Sequence, residues 1–376
     1  MKSKLFKILS VILAVLLMTL CFASCKGKEY DKTGDPSSSQ NDGQTGQAYP
    51  ANINPLTGLE LSESASGKRP VAIMVENSPS ARPQWGLSTP DIVLEGVVEG
   101  GITRMMWIYA DVAKIPKVGP VRSARHDYVE IAYGMNAVFT HWGGSRPAYS
   151  LLKTLANKGY LDVDGKTLGT NGNESNKGYY FFKDPTHSKA TEHCGYTNGS
   201  YIAAAIEKRK IDTTQTKSNW APYTVITSGE RIPFESSSAG TCKSITVTFS
   251  SGYKHTFQYD STTGLYKNFM NKDPMKDGNT GEQMAVKNVI VMYTGVSGYQ
   301  TSVKDDLKLR EWDLTGGDAL YITNGYGERI TWKKGDQSSP LKFYGQDGKE
   351  LTVNKGQTWI GAVPTANKEL TQIVTE

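Results

Sequence analysis

The sequence predicts an α+β or α/β fold, with a mixed strand-and-helix N-terminal domain over residues 53–218 and a mostly β domain over 219–376. Three observations lead there. Short apolar runs alternate with capped helical stretches as far as residue 210, the pattern of layered strand-and-helix structure. After Trp220 the apolar runs shorten, alternate with polar residues and are cut by Gly, Asp and Asn every ten residues or so. Aromatic residues make up 10% of the chain, including 20 Tyr, and 38 Gly supply turns.

The elements come in order. Residues 1–24 carry a lysine-bearing start, an apolar core from Ile8 to Leu20, and small residues before a cysteine, which is the anatomy of a secretory leader. Phe22-Ala23-Ser24-Cys25 resembles a bacterial lipobox, so Cys25 is expected to become a diacylglyceryl cysteine at the mature N-terminus. Each buried methylene contributes about 0.8 kcal/mol, and two acyl chains hold a soluble domain on a bilayer. Residues 25–52 are polar and almost free of apolar side chains, a composition that gives a flexible tether.

Val71-Ala72-Ile73-Met74-Val75 reads as a buried strand. Thr89-Pro90-Asp91 offers a cap, a Pro at the first position and an early acid, and predicts a short helix after it; the β-branched run Ile92-Val93-Leu94 also suits a strand. Strands are expected at Ile102–Tyr109 and Ala137–Trp142, and helices at 123–133, 147–158 and 200–210, the first two capped by Ser123 and Ser145. In the second half, strands are expected around Ile245, Phe257, Val289, Ala319, Arg329, Leu341 and Trp359. Turns are expected at Thr262-Thr263-Gly264, Gln346-Asp347-Gly348 and Asn354-Lys355-Gly356.

The formal charge is +5. Lys2, Lys4 and Lys7 of the leader account for three of these, leaving +2 on the mature chain. That balance, without a dense basic run, excludes a nucleic-acid partner. Apart from Cys25 the exported chain holds Cys194 and Cys242, which either bridge or stay free. No cofactor motif occurs, and no metal-ligand spacing: His187 and His193, six apart with Cys194 adjacent, have no third spaced ligand. The segments Asp260–Gly264 and Asp273–Gly281 lack the periodic acids of a calcium loop. Tyr179-Tyr180-Phe181-Phe182 is read as a core strand ahead of an exposed contact patch.

Between Asp91 and Arg146 lie Arg104, Arg122, Arg125 and Arg146, with Arg122, Arg125 and Arg146 beside predicted helix starts. The partial positive charge of a helix N-terminus disfavours cations there, so such a grouping calls for an anion. One reading is an external phosphate or carboxylate held by guanidinium forks. His126 and His141 would then be candidate acids or bases, and Asp91, Glu95 and Glu99 candidate bases or metal ligands. The other reading is an internal ion network in which these acids neutralise the arginines.

The motifs NPLTGL, RPVAIMVEN, ARPQWGLSTPDIVLEGVVEGGITR, KVGPVRSAR and GQTWIGAVP resemble the YerB family of bacterial lipoproteins. The resemblance covers nearly all of the chain after the tether. It implies a two-part exported protein of Gram-positive-type bacteria, anchored on the extracytoplasmic face of the cell membrane, without an established molecular function. Asp91-Ile92-Val93, Pro120-Val121-Arg122 and Gly143-Gly144 are in addition similar in order to LytR-CpsA-Psr proteins. That second similarity implies a polyprenyl-phosphate-type substrate. Together these give two expectations. The first is a cell-envelope binding module for a protein partner or an anionic wall precursor; the alternative is a phosphoester transferase or hydrolase using the same arginines.

Overall fold

A computed structural model describes residue 50 and residues 52–169, 178–188, 190–233 and 241–375. The leader, Cys25 and nearly all of the tether lie outside the described residues. Among the described residues no helix is long and apolar enough to cross a membrane.

The core is one mixed ten-stranded sheet. Its N-terminal strands are β1 (Val71–Glu76), β2 (Ile92–Val97), β3 (Thr103–Tyr109), β4 (Val138–His141) and β5 (Val163–Asp164). Across the sheet the order is 342–344, 326–333, 316–323, 288–294, 358–364, β2, β3, β1, β4, β5. Five strands thus come from before residue 218 and five from after it. They meet where β2 runs parallel to Thr358–Pro364, with Val93 opposite Trp359. The N-terminal segment mixes strands and helices and the C-terminal segment is strand-rich, as the sequence predicts. Both are woven into the same sheet.

The stretch after Asp91 is strand β2, not a helix. Its capped start is outweighed by pairing on both edges, antiparallel to β3 and parallel to Thr358–Pro364, which buries all six residues. β-Branched side chains suit such a doubly flanked strand.

Strand parity sends side chains to two cores. Ile92, Leu94, Met106 and Ile108 face one side. There they meet helices α1 (His126–Gly134) and α2 (Arg146–Ala156), which pack with Tyr128, Val129, Leu152 and Leu155. Val93, Val97, Met105 and Trp107 face the other side. That side is closed by a second sheet built on strands 244–250, 253–260 and 265–270, and by the helix Gly199–Arg209. Helix α2 starts as predicted: Ser145 caps it by accepting from Ala148 N, with Pro147 in the first turn. Helix α1 starts later than predicted, at His126, and its cap position is Arg125 without a side-chain bond.

Candidate functional site

Register brings the first acid to the arginines. Glu76 at the end of β1 stands opposite Arg104 on β3. The segment Arg122–Arg125 lies along Trp142–Ser145, tied by Trp142 N to Arg122 O, Ala124 N to Gly143 O and Ser145 N to Ala124 O. Gly143 holds the turn at φ +78°, with Ser123 Oγ close to where a Cβ would stand. Ser123 therefore braces this crossing, donating to Trp142 O, and does not cap a helix.

Three of the four predicted arginines come together. Arg125 Nε donates to Glu99 at 2.8 Å. Burial pushes the Glu99 carboxyl up, but the Arg125 charge and hydrogen bond hold it below its ordinary range. Arg104 is 3% exposed; its Nη1 donates to Ser123 O, and its buried Nε has no partner among the described residues. Burial, then the charges of Arg125 and Arg122, lower its guanidinium to about 9 against the partial support of Glu99 and Glu76. Arg122 lies 3.3 Å from Glu76 through Nε, without hydrogen-bond geometry. Its two terminal nitrogens make no hydrogen bond among the described residues. Glu76 is shared: it also receives Ser78 Oγ and faces His193 Nδ1 at 2.9 Å.

Arg122 lines a hollow of about 190 Å³ together with Val121, Trp142, Lys183, Glu192 and Gly195. Lys183 stands over the Trp142 ring, 5.7 Å from its centroid, and pairs with no carboxylate among the described residues. At the hollow itself two cations, Arg122 and Lys183, stand against the single carboxylate of Glu192. The hollow combines a planar donor fork, an ammonium, an acceptor carboxylate and an indole wall, which suits reversible binding of an anion.

The other predicted residues lie elsewhere. Arg146 is half exposed and paired with Asp306 at 2.8 Å. His141 is fully buried between Gly143 O at 2.7 Å and Asp162 at 2.9 Å. Burial raises the Asp162 carboxyl, but the bond and charge of His141, with Arg209, take it below the usual range. Glu95 points to the opposite face of the sheet from Arg104. Fully buried, it accepts from Asn77, Thr103, His255 and Trp359. Burial pushes Glu95 up and His255 more than reverses this; the pair ties β2 to the second sheet. Asp91, at the far end of the β2–β3 pair, accepts from Ala110 N. His126 packs edge-on to Tyr299, its ring centroid 4.9 Å away, and burial lowers it to about 4.

These surroundings correct the grouping of Glu95, Asp91, His141 and Arg146 with the anion site. Lys183, Trp142, Glu192, Glu76 and His193 are the residues the sequence reading did not assign to it. Phe181 and Phe182 are core, as read, while Tyr179 is 37% exposed. Cys194 and Cys242 are both buried and are not bridged to each other.

Two profiles of one family match the chain. The N-terminal domain described as a protein of unknown function, DUF3048, matches residues 56–212, and the C-terminal domain of the same family matches 245–360. The chain belongs to the DUF3048 family. It is 30% identical over 317 residues to the putative lipoprotein YerB of Bacillus subtilis (strain 168), covering 82% of this chain and 86% of that protein. The crystal structure of Bacillus subtilis YerB matches with a TM-score of 0.68 at 28% identity, covering 86% of this chain and 99% of the other. The DUF3048 N- and C-terminal matches fall on the two segments that share the ten-stranded sheet.

Proposed function

We propose that this DUF3048 chain is a lipoprotein of the extracytoplasmic membrane face, anchored through Cys25. In this reading it is a binding module that takes an anionic group of an envelope protein or wall precursor in the hollow at Arg122 and Lys183. One observation carries it: Arg122, whose terminal nitrogens are unpaired among the described residues, lines an opening with Lys183, two cations against the single carboxylate of Glu192. Salt screens such a site only in part, because the guanidinium is half-buried.

Binding is favoured over phosphoester transfer or hydrolysis by the state of the acids. Glu76 and Glu99 already neutralise arginines, and Glu95 serves His255 on the other face. A general base needs a free carboxylate or imidazole held within reach of the reacting proton; the carboxylate of Glu192 at the hollow is exposed, and no hydrogen bond among the described residues orients it.

The test is co-sedimentation of the mature chain with purified cell walls. Arg122→Gln combined with Lys183→Gln is expected to lower the bound fraction at least about fivefold while leaving the melting temperature within about 2 °C. Equal sedimentation of variant and wild type rules out this hollow as the contact.

A further inference from the structure

The walls of the hollow say more about the ligand than its charge does. At about 190 Å³ it lies below the roughly 300 Å³ at which drug-sized pockets begin, so it admits one ring-sized unit. One wall is the indole of Trp142, fixed from behind. A Cβ on Gly195 would stand 2.4 Å from a ring carbon, so only glycine allows this approach, and Phe181 packs edge-on at 5.9 Å. A held aromatic wall offers stacking to the C–H face of a pyranose. The exposed carboxylate of Glu192 accepts hydrogen bonds, which a purely anionic ligand does not supply and a sugar hydroxyl does. Arg122 and Lys183 then meet an acidic substituent, the planar fork matching carboxylate or phosphate oxygens in pairs.

We infer that the Arg122–Trp142–Lys183–Glu192 hollow binds a single anionic sugar unit, a hexuronate or a hexose phosphate, of an envelope polymer or its precursor. This rests on the anion-binding reading above and narrows it. The acidic group lies on Arg122 and Lys183, the ring lies against Trp142, and a hydroxyl donates to Glu192. No covalent step is involved.

The experiment titrates the mature chain calorimetrically with D-glucuronate, D-glucose 1-phosphate, D-glucose, acetate and inorganic phosphate. At least one of the two anionic sugars is expected to bind about tenfold or more tightly than acetate and phosphate, with D-glucose weaker still. Which sugar binds tells a uronic acid from a sugar phosphate. Trp142→Phe and Glu192→Gln should each erase most of that preference, read as the ratio of the anionic-sugar affinity to the inorganic phosphate affinity of the same variant. Because Trp142 packs on Gly195, the exposed Glu192→Gln is the arm that does not depend on refolding of the wall. If phosphate binds as tightly as glucose 1-phosphate and acetate as tightly as glucuronate, or if Glu192→Gln leaves the preference intact, the sugar inference is overturned and the anion site stands. If no anion binds, both fall.

Discussion

Replacing Arg104 with Met should make the protein more stable. Arg104 sits 3% exposed between Arg122 and Arg125, with one hydrogen bond to Ser123 O and an unpartnered Nε. Burial and the neighbouring Arg125 and Arg122 charges lower its guanidinium to about 9, which at about 1.4 kcal/mol per pH unit disfavours the charged form by several kcal/mol. The sign is that of a base disfavoured in its charged form. Below about pH 9 the folded chain carries the whole cost, and the cost is relieved as pH rises above that value. Met matches the length of the side chain and leaves Arg122 and Arg125 facing Glu76 and Glu99 one to one. The lost Ser123 bond costs about 1 kcal/mol, and relaxation around the charge removes part of the remainder. A net stabilisation of about 1–3 kcal/mol at pH 7 results. Urea unfolding followed by tryptophan emission reads it, provided the slope with denaturant is unchanged. A loss of more than about 1 kcal/mol would refute the reasoning, because Arg104 would then be a net structural ion.

Glu95→Gln leaves His255 buried beside a weaker acceptor and should cost about 3–5 kcal/mol; a urea midpoint close to wild type would contradict its role in joining the sheets. Asp127, whose carboxyl burial raises to about 8, costs stability as pH climbs from about 4 towards 8. Asp127→Asn should therefore raise the melting temperature more at pH 8 than at pH 5, and equal gains at both would count against this. Glu95, Glu99 and Asp162 have lowered values and act in the other direction. Their stabilisation holds above about pH 4 and is lost on further acidification, so thermal melts should fall steeply between about pH 4 and 2. Cys25→Ala should move the protein from the membrane fraction to the medium; full retention on the membrane would dismiss the lipid anchor.

Local chemistry made much of this molecule legible from sequence. Ser145, Pro147 and the glycines before them announce helix α2 because capping is decided within a few residues. The strand-rich second half was visible in its alternation and its turns. What failed was a question of partners. The start Thr89-Pro90-Asp91 is a good helix opening, and only pairing with β3 and with residues 358–364 makes a strand of Ile92–Val97. That one exchange decides the site. On a helix, Glu95 and Glu99 share a face four residues apart; on a strand, Glu95 turns to the opposite core from Arg104 and Glu99 lies beyond the strand end. The partner of Arg146 is 160 residues away at Asp306, a distance no local pattern bridges. Lys183 was hidden beside the aromatic run Tyr179–Phe182. Its short pairing with Gly195–Tyr196 brings it to Trp142, and nothing in its own neighbourhood says so.

Arginine side-chain NMR during titration with inorganic phosphate tests the anion site most directly, since each Nε–H reports its own guanidinium. The account predicts a saturable shift of the Arg122 signal, with the glutamate-paired Arg125 and aspartate-paired Arg146 nearly still. A flat Arg122 signal, or equal drift of all three, would contradict it.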